Sequence, residues 1–382
     1  MSRDWKSSLS TVERLGIIQN LQASLPKEKR NEAIAIEQSA YQNSTTRDEY
    51  VAAVSATSPA SPLLDAPPNP SAGTRIGRYL RCHPVAQGVT SEVYRCDNRA
   101  LKVIVAHRNI EPHNPQREAA ILSELSALRP PPEHIVSLVE TFRDQEQRLV
   151  LAFPYLPLTL DALLAGSTKS LPSSQVVPIF ANLVNALASI HKQGIIHRDI
   201  KPSAVLLQSS CGPAYLSDFG SAWHPRLSSY TERPANKILD IGTGPYRAPE
   251  VLFASKAYDT SVDMWALGVM LAEAISSPPE APFESRPAHE DGNQLGLILS
   301  IFKTLGTPTE EMWPEAKQFK VSPFELWAVF PPKSWEEVLP NADADMRCLV
   351  ADLVCYESSN RLTAAQVLEH PCFTNRDGSN KS

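Results

Sequence analysis

The stretch that decides the fold is His197-Arg198-Asp199-Ile200-Lys201-Pro202, in which a carboxylate and an ammonium stand two positions apart. Two shorter stretches follow it along the chain, first Asp218-Phe219-Gly220 and then Ala248-Pro249-Glu250. Any one of these tripeptides can occur by chance. All three in this order, with Lys102 and Glu118 upstream, form a far more specific pattern. The sequence therefore predicts that a chemical site is built around these three motifs.

The residues before and after these motifs favour different secondary structures. Residues 100–105 have the β-branched and aliphatic composition of a strand, and further strands are predicted near residues 135–142 and 149–153. One helix, at residues 115–128, separates them, whereas nearly everything after Leu156 has helical periodicity. The predicted fold class is α+β, with a small β-rich lobe followed by a large helical lobe.

The composition excludes several classes of protein. The chain has 382 residues, of which 42% are hydrophobic, so it is not a wholly disordered chain. Its net charge of -6 gives no general attraction to nucleic acid or to anionic membranes. Its six cysteines form no CxxC pair, and its N-terminus lacks an apolar signal segment. We therefore expect a soluble protein of the nucleus, the cytoplasm or both, with no direct binding to nucleic acid or membrane.

Composition also divides the chain into four segments. They are a helical module at residues 1–56, a proline-rich linker at 57–74, the main globular domain at 75–375 and a disordered tail at 376–382. In the module, a first helix is predicted over residues 10–25, with Ser10 and Glu13 as a capping box, and a second helix at roughly residues 28–43. A third helix is predicted to start near Thr46, with Glu49 as its capping partner.

The three motifs make the chain similar to the eukaryotic protein kinases over roughly residues 78–375. Three further stretches are typical of CDK-like kinases of the CMGC group: residues 245–250, 301–314 and 368–373. Two features described below, a phosphate-covering loop that keeps only one of its three usual glycines and the lack of the threonine whose phosphorylation activates CDKs, make the domain look like the single-subunit fungal CDK-activating kinases. The resemblance implies a bilobal protein kinase fold and a Ser/Thr protein kinase that transfers the γ-phosphate of ATP to protein hydroxyl groups.

The resemblance assigns the catalytic roles. Asp199 would accept or orient the proton of the substrate hydroxyl, and Lys201 would lie against the γ-phosphate. Thr243 would tie the activation segment to this pair, and Asp218 would hold the Mg²⁺ that bridges the phosphates of ATP. Phosphoryl transfer depends on positioning and charge neutralisation more than on covalent catalysis, which is why these charged groups are expected to come together.

The nucleotide site is assigned in the same way. Lys102 matches the strand lysine that holds the α- and β-phosphates, and Glu118 matches its ion-pair partner. The alternative for these two residues is a pair of separately solvated charges. The other cofactor-binding positions that the resemblance implies are Gly88, Val93, Tyr155 and Leu156.

Three other matches are assigned to the scaffold. Glu250 and Arg361 correspond to a buried ion pair beneath the activation segment, and the loss of one partner of such a pair is strongly destabilising. Asp263 corresponds to an aspartate that braces the catalytic loop. Thr260 and Asp263 are also predicted to form a capping box at the start of a helix.

Two departures from the family pattern concern the nucleotide and the metal. Of the three glycine positions in the phosphate-covering loop, only Gly88 is a glycine; the other two are Ala86 and Ser91, whose side chains restrict the approach of the backbone to phosphate. Ala204 replaces the asparagine that would give an oxygen to a second Mg²⁺, so that Ser203 or a water would have to fill in. Ala204 is the main argument for the alternative function, a pseudokinase scaffold or transcription-linked interaction protein with impaired catalysis.

Two further departures concern activation. Ile238 stands where CDKs carry the activating threonine, so Arg198 needs another anion, which Asp240 or Glu232 could supply. The helix that carries Glu118 lacks the cyclin-binding sequence, so no cyclin is expected to be required.

Gly242 bears on the choice of protein substrate. In proline-directed relatives the residue at this position has φ > 0 and is held by the arginine that corresponds to Arg247. Glycine reaches either sign of φ with little strain, so the carbonyl of Gly242 can turn back and accept an ordinary N–H. We therefore predict a relaxed requirement for proline after the target residue, which suits the activation loop of a cyclin-dependent kinase as substrate.

The N-terminal module has a resemblance of its own. Residues 4–25 and 36–50 look like the KIX three-helix domain of transcriptional coactivators, which binds amphipathic activation-domain helices in a groove. The resemblance implies such a helix as a partner. The alternative is a helical extension that frays or packs.

Overall fold

The computed structural model describes residues 33–44, 46, 49–50, 73–88, 90–106, 111–285, 294–324 and 328–374. The chain divides into two compact units, residues 1–72 and 73–382. The first predicted helix of the N-terminal module (residues 10–25), the linker up to residue 72 and the tail from residue 376 lie outside the described residues.

The first unit contains the described part of the predicted second helix, α1 (Ala33–Asn43). The predicted capping box of the third helix is present: the backbone N–H of Thr46 donates to the Glu49 carboxylate (3.3 Å), and the N–H of Glu49 donates to the Thr46 hydroxyl (3.2 Å). Glu49 and Tyr50 are the described helical residues that follow it. The hydroxyl of Tyr50 donates to Glu37 Oε1 at 2.6 Å, and both side chains are buried. This bond joins the two helices.

The small lobe of the second unit is an antiparallel sheet of six strands. They are β1 (Thr74–Ile76), β2 (Tyr79–Gln87), β3 (Ser91–Cys96), β4 (Arg99–Ile104), β5 (Glu140–Arg143) and β6 (Leu149–Pro154). Their order in the sheet is β1-β2-β3-β4-β6-β5. The strand predicted at residues 135–142 begins only at Glu140, since Ile135 leaves this sheet and forms an isolated bridge with Leu216 of the large lobe.

A single described helix, α2 (Pro115–Ala127), lies between the strands of this lobe in the sequence. The Asn114 side chain caps it by accepting the Arg117 N–H (2.9 Å). Pro115 stands at the first helical position, where a missing N–H breaks no helical bond. The residues that α2 buries are Arg117, Glu118, Ile121, Leu122 and Leu125. Glu118 is thus held on the same inward side as the apolar residues.

The large lobe is mainly helical, so the α+β arrangement predicted from the sequence is confirmed. Its helices are α3 (Leu160–Ala165), α4 (Ser173–Lys192), α5 (Pro249–Leu252), α6 (Ser261–Ile275), α7 (Leu295–Leu305), α8 (Trp335–Val338), α9 (Ala344–Leu353), α10 (Ala364–Leu368) and α11 (Pro371–Thr374). A small sheet with the order β7-β8-β9 is formed by β7 (Leu158–Thr159), β8 (Val205–Leu207) and β9 (Ala214–Leu216).

Helices α4 and α6 form the centre of this lobe. Helix α6 is buried along almost its whole length, and Trp265 in its first turns is completely enclosed. Of the described helices, α4 alone has the length and apolar composition of a membrane span. Its apolar face, from Val176 to Ile190, is instead buried in the core of the lobe. The motif at residues 197–202 follows α4 in the sequence, and its backbone is hydrogen-bonded to the first turn of α6.

Candidate active site

A cleft between the two lobes gathers all the residues that the sequence assigns to the site. Two adjoining cavities, of about 520 and 420 Å³, share in their walls Gly88, Lys102, Glu118, Lys201 and Asp218. The larger cavity is also lined by Val93, Tyr155 and Leu156, and the smaller by Asp199 and Thr243. Ligand pockets are typically about 300–1,000 Å³, so the cleft has room for a nucleotide.

Lys102 connects strand β4 to helix α2 and to the segment that follows β9. Its Nζ donates to both oxygens of Glu118, at 3.0 and 2.8 Å, and to Asp218 Oδ1 at 2.7 Å. Burial disfavours the ammonium form, but the attraction of Asp218 and Glu118 is larger and raises the pKa of Lys102 above its ordinary value. The charges of Lys102 and Glu118 are therefore paired with each other and not separately solvated.

Asp218 fits the role of a ligand for a divalent cation. The attraction of Lys102 outweighs burial and lowers the pKa of Asp218 far below its ordinary value, so the carboxylate is ionised at neutral pH. Its side chain is 46% exposed, and in the described part of the chain no donor contacts Oδ2. Hard cations such as Mg²⁺ prefer carboxylate oxygens. Asp218 would therefore offer one carboxylate oxygen to a divalent cation.

Asp199, Lys201 and Thr243 form a closed set of hydrogen bonds. Asp199 Oδ1 accepts from the Thr243 hydroxyl (2.7 Å), and Asp199 Oδ2 accepts from Lys201 Nζ (2.6 Å). Lys201 Nζ also donates to Thr243 Oγ1 at 3.1 Å. The set holds a carboxylate that can accept a proton next to an ammonium that can neutralise phosphate, which is the pairing that phosphoryl transfer requires.

Asp263 braces the catalytic loop, as predicted. Its carboxylate accepts the backbone N–H groups of His197 and Arg198, both at 2.8 Å, and contacts His191 Nε2 at 2.9 Å. The predicted capping box with Thr260 is wrong: α6 begins at Ser261, and Thr260 makes no side-chain capping bond. The physical reason is that both oxygens of Asp263 are engaged with the loop, while Thr260 has helical φ and ψ (-64° and -14°) instead of the extended backbone of an N-cap.

The predicted scaffold pair between Glu250 and Arg361 is present. Arg361 Nη1 and Nη2 donate to the two oxygens of Glu250 at 2.7 and 2.8 Å, and both side chains are buried. A two-bond pair of this kind holds the end of the activation segment (residues 218–250) to the core of the large lobe.

The anion that faces Arg198 is Glu232 and not Asp240. Arg198 Nη1 and Nη2 donate to the two oxygens of Glu232 at 2.6 and 3.1 Å. Asp240 is 82% exposed and contacts Arg247 at 3.3 Å instead. Ile238, at the position of the missing threonine, donates its backbone N–H to Glu232 Oε2 at 2.9 Å. A permanent carboxylate therefore fills the place in which an activating anion was expected.

Gly242 adopts the left-handed conformation, with φ +73°, and its carbonyl accepts a bond from Arg247 Nε at 2.9 Å. This is the arrangement of the glycine position and the arginine that proline-directed relatives are expected to have. The relaxed requirement for proline therefore depends on how easily glycine leaves this conformation, and it stays a prediction.

Ala204 offers no side-chain oxygen to a metal and is buried. Its carbonyl accepts from the backbone N–H and the hydroxyl of Ser217, both at 2.9 Å. Ser203 and Ser217 line the larger cavity, so hydroxyl groups are close to the position of the missing asparagine. The participation of Ser203 in metal binding stays a prediction.

Sequence reasoning missed the apolar walls of the cleft, which are formed by Ala100, Val136, Phe153 and Leu206. Ala100 could have been found, because it lies two positions from Lys102 in β4 and alternate strand residues share a face. The other three come from separate elements, and no local pattern connects them with the site.

Comparisons with known proteins agree with the geometry. Residues 79–373 match the protein kinase domain family. The chain is 35% identical over 292 residues to serine/threonine-protein kinase csk1 of Schizosaccharomyces pombe, which covers 75% of this chain and 90% of that protein. It is 30% identical over 311 residues to cyclin-dependent kinase B2-1 of Arabidopsis thaliana, which covers 77% of this chain and 93% of that protein.

The family match begins at residue 79, so it does not support the KIX resemblance of residues 1–56, which stays a prediction. Over the rest of the chain, the match, the relatives and the cleft agree. The chain belongs to the protein kinase family and is a CDK-like, ATP-dependent Ser/Thr protein kinase.

Proposed function

We propose that this kinase transfers the γ-phosphate of Mg-ATP to the activation-loop threonine of a cyclin-dependent kinase, without a cyclin of its own. The observation that carries the proposal is the Lys102–Glu118 ion pair, which aligns helix α2 with strand β4 beside the catalytic groups. Ile238 stands in place of the usual phosphorylated threonine, and Glu232 forms an ion pair with Arg198, the arginine that the phosphate would bind. The choice of a cyclin-dependent kinase as substrate rests on the resemblance of the domain to the single-subunit CDK-activating kinases.

Each charged residue of the cleft would have its own role in phosphate transfer. Asp218 would hold Mg²⁺, which when bound neutralises phosphate charge. Lys102 would hold the α- and β-phosphates, while Glu118 keeps its ammonium in place. The target hydroxyl would give its proton to Asp199 as its oxygen bonds to the γ-phosphorus, and ADP leaves. Lys201 would neutralise charge on the transferred group.

The wider setting of the protein follows from the same proposal. A kinase that acts on cyclin-dependent kinases would work in the nucleus, the cytoplasm or both. The N-terminal module would bind an amphipathic activation-domain helix and bring the kinase to its substrate.

A second candidate function is favoured by one observation, the buried Ala204. Without a second metal ligand at this position, the domain could serve as a pseudokinase scaffold in which the N-terminal module does the binding. This candidate predicts Mg-ATP binding that is weak and phosphate transfer that is negligible.

The test uses the purified full chain after phosphatase treatment and removal of the phosphatase. It is incubated with Mg-ATP and a catalytically dead cyclin-dependent kinase, with the matched control in which the activation-loop threonine of that substrate is alanine. We expect phosphate on the threonine of the first substrate and none on the second. A kinase that stays silent until a cyclin is added, or that labels both substrates equally, would contradict the proposal.

A further inference from the structure

The activation segment places a buried carboxylate between two buried arginines. The side chain of Glu232 is 1% exposed, and those of Arg198 and Arg117 are 0% and 4% exposed. Arg198 holds both oxygens of Glu232. Arg117 Nη1 donates to Glu111 Oε2 at 3.1 Å and also lies 3.9 Å from Glu232 Oε1, so Glu232 adds a second, longer ion pair to this arginine. Buried charges persist in proteins only when they are paired, so this position is built for a permanent anion.

The neighbours of the two arginines connect this anion with the chemistry. Arg117 directly precedes Glu118 in α2, and Arg198 directly precedes Asp199 in the catalytic loop. We infer that Glu232 is a positioning residue: its carboxylate keeps helix α2 and the catalytic loop in register, so that neither an activation-segment phosphate nor a second subunit is needed. The inference deepens the proposed cyclin-independent activity and rests on it.

Other bonds fix Glu232 itself in place. The Ile238 N–H donates to Glu232 Oε2 (2.9 Å), and Trp223 Nε1 donates to the backbone carbonyl of Glu232 (3.1 Å). Tyr258 donates its hydroxyl to the carbonyl of Ile238 (2.6 Å) and accepts from Arg198 Nη1 (3.2 Å). The carboxylate is therefore held by a network and does not depend on one contact.

The same segment also contacts helix α2 at other points. Arg226 forms an ion pair with Glu124 in the C-terminal half of the helix. Ser221 bonds to His113 Nδ1 at 3.1 Å, just before the helix begins. Helix α2 is thus held from the start to the second half by the chain's own activation segment, which is the task that a separate activating subunit would otherwise have.

The first test compares kcat and KM for ATP, with myelin basic protein as a general substrate. We expect Glu232→Gln to lower kcat by about 10- to 100-fold, with a smaller change in KM, because misplaced catalytic groups affect the transition state most. Glu232→Asp, which keeps the charge, is expected to retain part of kcat. The matched control is Glu310→Gln, since Glu310 pairs only at the surface with Lys317 (3.1 Å) and its loss is expected to leave kcat unchanged.

The second test separates positioning from simple structural support. Glu232→Ala leaves a gap beside two arginines, and we expect sodium formate, added at the ionic strength of a sodium chloride control, to restore part of kcat. Amide hydrogen exchange of residues 115–127 is expected to rise in Glu232→Gln and to remain unchanged in Glu310→Gln.

Several results of these two tests would overturn the inference about Glu232. Wild-type kcat in Glu232→Gln, or unchanged exchange of residues 115–127 in that variant, would overturn the inference. A loss of kcat that neither the Asp variant nor formate relieves would do the same, because it indicates only lost stability. If the wild type phosphorylates myelin basic protein but no cyclin-dependent kinase, the proposed substrate is wrong while the inference about Glu232 stands.

Discussion

Lys102 donates to both oxygens of Glu118, at 2.8 and 3.0 Å, so one ion pair connects strand β4 to helix α2. The Glu118 side chain is only 2% exposed, and it depends on this lysine for its charge to be balanced. The pair therefore serves both stability and chemistry, and the two roles can be separated by substitution.

Replacing Lys102 by methionine is expected to lower the free energy of unfolding by about 3–5 kcal/mol, because a buried carboxylate loses its partner. Phosphate transfer should be lost as well. In the double variant Lys102→Met/Glu118→Gln we expect much of the stability to return while activity stays absent. Urea unfolding measures the first effect. Equal stability of the single and double variants would show that the pairing does not matter.

The destabilisation caused by Lys102→Met is expected to depend on pH. Burial raises the pKa of Glu118 above its ordinary value, and Lys102 opposes that effect. Without Lys102, the folded protein binds a proton at Glu118 at a higher pH than the unfolded chain, whose glutamate pKa is about 4.3. The stability from this proton is complete below the unfolded pKa and is lost as pH rises through the folded pKa. Lys102→Met should therefore be less destabilised, relative to wild type, at pH 5 than at pH 8; the reverse order in thermal unfolding would contradict this.

Asp199→Asn is expected to abolish phosphate transfer while the fold remains intact. The amide can still accept the Thr243 bond but cannot take up a proton, so the rate should fall by at least about 10²- to 10⁴-fold. Thermal unfolding of the variant should stay close to that of wild type. As a contrast, Asp263→Asn should lower the unfolding temperature, because Asp263 holds two backbone N–H groups of the loop. Full activity of Asp199→Asn would refute the assigned role.

Ala204→Asn is expected to strengthen Mg-ATP binding by supplying the missing oxygen next to Asp218. A tenfold tighter complex would add about 1.4 kcal/mol to the stabilisation by saturating nucleotide, which thermal shift can detect. The control Ala204→Leu has similar bulk without the oxygen and should not gain. If Asn and Leu behave alike, this position does not limit metal binding.

The glycine at position 242 leads us to expect only a weak preference for proline after the target residue. We expect peptides with and without proline after the target residue to be phosphorylated within about tenfold of each other, since glycine can leave the φ +73° state at little cost. Gly242→Ala should lower activity mainly on peptides with proline after the target residue, because in the φ +73° state its Cβ would lie 3.1 Å from Arg247 Cγ at a φ that alanine disfavours. Arg247→Ala should reduce any proline preference further. An absolute demand for proline in a peptide library would defeat the prediction and the proposed substrate with it.

The sequence by itself determined the fold class and the main chemical residues of the cleft. The motifs around Asp199 and Asp218 are runs of consecutive residues. Their members are close together because they are linked along the chain, so the sequence alone shows which groups belong together. Lys102 and Glu118 were assigned through the resemblance to protein kinases, which implies a lysine in this strand and a glutamate partner in the helix that follows.

Only the tertiary structure decided which groups meet across long separations. It selected Glu232 over Asp240 as the partner of Arg198, and it set Gly242 at positive φ against Arg247. It also showed that Asp263, which braces the catalytic loop as predicted, forms no capping box with Thr260. These outcomes depend on the path of the activation segment through space. That path is fixed by burial and by pairing between residues far apart in the chain, which local patterns of charge and periodicity do not encode.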